Sequence, residues 1–183
     1  MRDELDKALV EKYPLIFKNR HGNMQETAMC WGFECGDGWY NILDTLCSML
    51  SVEYNQAKNS YDFVKECLEL RDGATPWKGA QKYTVEDLEE KRLAMEEAAK
   101  NVPVASQVKE KYGTLRFYIE RGDDRAYNLI GFAESMSART CEECGRPGLF
   151  RDDLSWWRTL CDHHYTEYLA SYMDYTQPLE SEK

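Results

Sequence analysis

Cys141-Glu-Glu-Cys144-Gly145, answered downstream by Cys161-Asp-His-His164, is the stretch whose reading decides how the C-terminal part of this chain folds. Two thiols three positions apart, with a glycine beside the second, form a knuckle in which backbone amides can turn toward the sulfurs. Cys161 and His164 complete a Cys3His donor set at the spacing of small metal-binding modules. Four strong protein donors leave no position for water, so the expected cofactor is one structural Zn2+. A Cys-x-His pair is also a workable arrangement, which leaves His163 as an alternative ligand. His164 is preferred because its three-position step suits the first turn of a helix. The bland alternative is a set of buried thiols and surface imidazoles that never meet a metal.

The residues between the two ligand pairs fit the same reading. Gly148-Leu-Phe-Arg151 and Trp157-Arg-Thr-Leu160 read as two short strands, and 163–172 as a helix starting at the second pair. Knuckle, hairpin and helix in that order resemble a treble-clef or zinc-ribbon-like finger. Zinc would there replace a hydrophobic core too small to hold the segment by itself.

Upstream, Leu5, Ala8 and Leu9 fall at helical spacing, and Pro14 opens a further short turn. Met29 to Cys35 reads as extended, with Trp31 and Phe33 expected in the core. Between Trp39 and Val52, Ile42, Leu43, Leu46, Cys47 and Leu50 form one helical stripe, with Asp37 placed to cap its first turn. A second amphipathic helix is expected from Ser60 to a stop at Asp72-Gly73, followed by a loop over 74–82. Thr84 with Asp87 signals the start of a charged helix reaching Lys100. Val102 to Lys111 and Thr114 to Ile119, around Tyr112-Gly113, read as a β-hairpin. A last helix over 123–138 delivers the chain to Cys141. The fold class is therefore α+β: a helical main domain with a β-hairpin or small antiparallel sheet over 1–138, a metal subdomain over 139–175, and a frayed polar tail over 176–183.

Composition bounds the function. Among 183 residues, 43% apolar and 13% aromatic side chains suffice for a core, so wholesale disorder is excluded. No export signal opens the chain and no stretch approaches a membrane span, so a cytoplasmic protein is expected. Seven cysteines in that setting read as thiols and metal ligands. Cys30, Cys35, Cys47 and Cys67 lack paired spacing and read as core thiols. A net charge of -10 argues against DNA or RNA as a partner, and against anionic membranes.

Candidate binding residues come from two places. Trp39 and Tyr40 sit at a loop-to-helix junction where exposure is expected. In the hairpin, Gln107, Lys109 and Lys111 share one face of the first strand, and Thr114, Arg116 and Tyr118 one face of the second. Where these faces coincide they form a basic, aromatic surface suited to a nucleotide-type small molecule, although an ordinary solvated sheet face has the same composition. Catalysis has little to stand on. His21, Glu26 and Cys30 could be imagined as base and nucleophile, but no nucleophile elbow, His-Glu metal motif or phosphate loop surrounds them.

Met29-Cys-Trp-Gly-Phe-Glu-Cys-Gly-Asp-Gly-Trp39, Gln107-Val-Lys-Glu-Lys-Tyr-Gly-Thr-Leu-Arg-Phe-Tyr118 and Cys141-Glu-Glu-Cys-Gly145 together resemble a group of small proteins of tailed bacteriophages and prophages. The resemblance runs from Tyr13 to Tyr165 and carries over no catalytic residue. It implies a bacterial host cytoplasm and an accessory role, such as counter-defence. Combined with the hairpin, it gives a first expectation: a non-enzymatic protein that sequesters a nucleotide-derived immune signal through Trp39, Tyr40, Lys109, Lys111, Arg116 and Tyr118. The alternative is a protein-interaction module acting on a host protein through the acidic helix at 84–100 or through Trp156 and Trp157. A homo-oligomer is compatible with either.

Overall fold

The computed structural model describes residues 1–69 and 83–176, with side chains described as far as 171. Six helices and two small sheets make up the described residues. The expected stop at Asp72-Gly73, the loop over 74–82 and most of the polar tail lie outside them.

Helix α1 (Asp3–Lys12) opens the chain. A single turn of 3-10 helix at Ala28–Trp31 precedes strand β1 (Phe33–Glu34), so the extended segment expected from Met29 shrinks to two residues. Thr27 explains the difference, since its hydroxyl accepts from the Met29 amide at 3.1 Å and starts a turn there. Phe33 is buried as expected, whereas Trp31, on that turn, is 62% exposed. Asp37 opens a second 3-10 turn, Asp37–Trp39, ahead of helix α2 (Tyr40–Leu50). Its carboxylate does not cap α2. It accepts from the Arg2 amide at 2.7 Å and pairs with the Arg2 guanidinium, which fastens α1 to this loop.

Helix α3 (Val52–Glu69) begins well before Ser60, after a break at buried Ser51. The Ser51 carbonyl accepts from Asn55 at 2.8 Å, so helical geometry resumes immediately. Helix α4 (Val85–Asn101) starts at the expected capping box, in which the Thr84 hydroxyl and the Asp87 carboxylate bond each other's backbone amides. α4 buries no residue and packs against α3 as a peripheral layer.

Strands β2 (Ala105–Lys111) and β3 (Thr114–Ile119) form the hairpin, with the Lys111↔Thr114 pair closing on Tyr112-Gly113. β1 joins the outer side of β2 in parallel, giving sheet order β1-β2-β3. The sheet is therefore mixed and not purely antiparallel, because the helices between β1 and β2 carry the chain back to the same end. Helix α5 (Asp124–Ser137), capped by Asp123, lies on β3 and α2. It closes the free edge of β3: the Leu115 amide donates to the Ser137 hydroxyl at 2.8 Å and the Phe117 amide to Glu134 at 3.2 Å. The main core is Leu9, Ile16 and Phe17 from the N-terminal segment, Trp39, Leu43 and Leu46 around α2, Val108, Leu115 and Phe117 from the hairpin, and Ile130 from α5.

The C-terminal part has its own small cluster, Cys141, Leu154 and Leu160, under strands β4 (Leu149–Arg151) and β5 (Arg158–Leu160) and helix α6 (Asp162–Thr176). It is seated against the main core by specific bonds. The Gly38 amide donates to the Glu142 carbonyl at 2.7 Å, the Trp39 indole to the Thr140 carbonyl at 2.8 Å, and the Thr159 hydroxyl to the Gly113 carbonyl at 2.7 Å. No described helix is long and apolar enough to cross a membrane.

Candidate metal centre and its aromatic edge

The knuckle folds on Gly145, whose φ of 75° is a left-handed conformation that costs glycine little. The Gly145 amide returns to the Cys141 carbonyl at 2.9 Å, and the Cys141 amide donates to Arg146 at 2.8 Å. Helix α6 begins immediately after Cys161, so its first turn presents His164 to the knuckle. Cys141, Cys144, Cys161 and His164 consequently place their donor atoms within 4.8 Å of one another. The Cys144 and Cys161 sulfurs are 3.8 Å apart, and His164 Nδ1 lies 3.4 Å from the Cys141 sulfur and 3.3 Å from that of Cys161. These four side chains could hold one metal ion. His163 is turned outward, its Nε2 3.4 Å from Glu167, so the structure brings His164 and not His163 to the sulfurs. Glu167 also stands 3.7 Å from His164 Nε2, where a carboxylate steadies a ligand imidazole.

The electrostatics of Cys161 and Cys141 run in opposite directions. The His164 backbone N–H, donating to the Cys161 sulfur, holds that thiol down at about 6. Burial pushes the Cys141 thiol up, against backbone N–H donors from Cys161, Cys144 and Glu143, so its ionisation depends on a cation nearby. Of the four remaining thiols, Cys35, Cys47 and Cys67 are buried as expected, and burial pushes Cys35 up to about 12, whereas Cys30, on the 3-10 turn, is only half-buried.

The expected binding residues divide. The register pairs Gln107 with Tyr118, Lys109 with Arg116 and Lys111 with Thr114, so the two strand faces do coincide. Lys109 Nζ stands 5.8 Å from the Tyr118 ring. Arg116, however, spends its Nη1 on the Thr114 hydroxyl at 2.6 Å and the Leu115 carbonyl at 2.7 Å, with Glu134 at 3.9 Å. Glu34, beside Lys109 in the sheet, accepts from Gln107 and adds negative charge to the same face. Trp39 is fully buried, so its expected exposure is wrong. Its indole N–H found a carbonyl partner in Thr140, far along the chain, which makes burial of a large ring favourable there. Tyr40 packs on the main core and does not join the hairpin face.

A group that spacing did not assemble surrounds the metal hairpin. Tyr112, at the turn of β2 and β3, meets Trp157 with ring centroids 6.0 Å apart, and Phe150 of β4 meets Trp157 at 5.8 Å. Trp156 donates its indole N–H to Glu110 Oε2 at 2.9 Å, and the other oxygen of Glu110 accepts from the Gly113 amide at 2.6 Å. One carboxylate thus fixes both the turn and the indole. Tyr112, Trp156 and Trp157 remain 58%, 59% and 48% exposed. The adjacency of Trp156 and Trp157 was visible in the sequence, but their meeting with Tyr112 was not. A separate apolar cavity of about 290 Å³ lies between α2 and α5, lined by Ile42, Met49, Leu129, Phe132 and Met136.

No family model, curated protein or solved structure matches the chain.

Proposed function

We propose that the chain is a zinc-stapled protein-interaction module that engages a basic surface of a partner protein. In the setting implied by the phage-like motifs, the partner is a host protein that the module inhibits or redirects. The observation that carries the reading is the exposed ring cluster of Tyr112, Phe150, Trp156 and Trp157, built from the hairpin turn and the metal hairpin together. Exposed tryptophan and tyrosine in contact are the composition of interface hot spots. Acidic Asp152 and Asp153 lie in the same loop, and the net charge of -10 favours a basic counterpart.

Zinc is the metal that the donor set fits best. An ion held about 2.3 Å from sulfur and about 2.0 Å from imidazole nitrogen defines tetrahedral edges of roughly 3.8 Å between sulfurs and roughly 3.5 Å between sulfur and nitrogen. The separations of 3.8, 3.4 and 3.3 Å match that tetrahedron. The order of knuckle, hairpin and helix supports a treble-clef reading. The metal's role is structural: it holds β4, β5 and the start of α6 so that the rings stand at the edge.

The test is affinity capture from host lysate with zinc-loaded wild type and with a Trp156→Ala/Trp157→Ala variant of equal zinc content and melting temperature. A stoichiometric protein kept by the first and lost by the second is expected. Equal capture by both would overturn the reading. A second reading, nucleotide sequestration on the face of Lys109, Lys111, Arg116 and Tyr118, is favoured by the coincidence of the two strand faces. It predicts binding heat with cyclic or linear nucleotides that Lys109→Ala abolishes.

A further inference from the structure

We infer that Tyr112, Trp156 and Trp157 form a receptor for a single cationic side chain, an arginine guanidinium on the partner. This rests on the interaction-module reading and specifies the chemistry of that surface.

Size is the first argument. The cavity lined by Tyr112, Ser155, Trp156 and Trp157 measures about 210 Å³, below the roughly 300–1,000 Å³ of pockets that enclose a whole small molecule. It accommodates the tip of a side chain. Ring geometry is the second. Tyr112 and Trp157 are inclined at 60° instead of lying in one stack, which suits a box around a compact cation better than a platform for successive bases. The Trp156 N–H is spent on Glu110, so that indole has no donor left for a partner.

The neighbouring rings show which ligand this surface attracts. Lys111 Nζ lies 5.4 Å from the Tyr112 centroid, Arg151 4.2 Å from that of Tyr165, and Arg158 5.8 Å from that of Tyr168. Tyr112 therefore already has a cation of this chain beside its ring and serves the receptor as a wall, which leaves the two indoles as the faces for a partner's cation. Among the described residues no cation stands over Trp156 or Trp157, although indole is the strongest cation acceptor of the aromatic side chains. Glu110, which holds the Trp156 indole and the Gly113 amide, is the carboxylate beside these rings, and a planar guanidinium can stack on a ring while donating to a carboxylate.

The backbone gives independent support. Tyr112 adopts a φ of 54°, a left-handed conformation that normally selects asparagine, aspartate or glycine. A bulky ring held there against its preference is expected where the ring is used.

The experiment follows indole N–H resonances of the 15N-labelled, zinc-loaded protein during titration with an arginine-rich peptide, its citrulline counterpart and adenosine monophosphate. Trp156→Phe and Trp157→Phe assign two of the five indoles. The arginine peptide should move the Trp156 and Trp157 signals and leave buried Trp39 still. Affinity should fall about tenfold or more in Trp157→Leu and with citrulline, which keeps the shape and removes the charge. Equal binding of the citrulline peptide would show an apolar site and overturn the cation assignment. Displacement of the same signals by adenosine monophosphate alone would replace it with base stacking. Silence of both indoles toward every probe, alongside ring-dependent capture of a partner, would remove the receptor while leaving the module reading intact.

Discussion

At single positions, the least replaceable atoms lie where the metal knuckle meets the loop before α2. A Cβ on Gly38 would lie 2.1 Å from the Cys141 carbonyl oxygen and 2.4 Å from the Gly145 amide nitrogen, both backbone atoms that cannot step aside. Gly38→Ala is expected to cost roughly 1–3 kcal/mol by overpacking, lowering Tm by roughly 2–4 °C per kcal/mol. Gly131, inside α5, should behave oppositely, since a methyl added there would meet nothing within 4 Å. Gly131→Ala should raise stability by about 0.5–1 kcal/mol through helix propensity; calorimetry of the two variants checks both signs. Cys144→Ser should release the metal, which elemental analysis of the purified protein reads directly.

Asp37 supplies a pH dependence. Burial pushes its carboxyl up, but the Arg2 amide and guanidinium outweigh burial, and its pKa falls below the ordinary value. A carboxyl depressed on folding contributes stability that is complete above the unfolded value of about 3.9 and is lost as pH falls through the lower folded value. Urea melts of wild type and Arg2→Ala should therefore differ by a constant amount above about pH 4 and converge in more acidic solution. A gap that widened on acidification would contradict the assignment.

Among the elements, α4 and the hairpin turn make different demands. The capping box starts α4, yet the helix buries nothing, so its formation is only loosely linked to the core. Thr84→Ala should cost about 1 kcal/mol locally. Amide exchange in α4 should accelerate while the global melt barely moves. In the hairpin, Tyr112 and Gly113 have φ values of 54° and 76°, the pair of positive angles that a type I′ turn requires. Tyr112→Asn should strengthen the turn and raise Tm, and at the same time weaken capture of the arginine peptide. Gain in stability with loss of binding would separate the ring's use from its structural fitness.

For the molecule as a whole, two clusters of very different size share one seam. The main core draws on the N-terminal segment, α2, the sheet and α5, whereas among the described residues the metal part owns only Cys141, Leu154 and Leu160 as buried apolar groups. A cluster that small does not hold a fold without its metal. Chelation is expected to loosen residues from Thr140 onward while the main core persists, visible as selective loss of protection there in hydrogen exchange. Simultaneous melting of both parts would mean that the seam bonds of Gly38, Trp39 and Thr159 couple them fully. Because the Trp156 and Trp157 segment belongs to the metal part, chelation should also abolish binding through the rings.

The chain's own pattern was enough for whatever depends on neighbours a few positions apart. Ligand spacing identified the four donors, Thr84 and Asp87 the start of α4, and Tyr112-Gly113 the turn that sets the hairpin register, because each is a local geometry with its own sequence signal. Tertiary structure decided what depends on distant partners. Trp39 looked exposed at a loop junction until Thr140 offered its indole a carbonyl, and Trp31 looked like core until a turn at Thr27 faced it outward. β1 found β2 across three helices, which no local signal announces. The metal stretch that determines the C-terminal fold was legible residue by residue, but the ring edge that it supports was not, since Tyr112 and Trp157 meet only after the knuckle has docked against the hairpin.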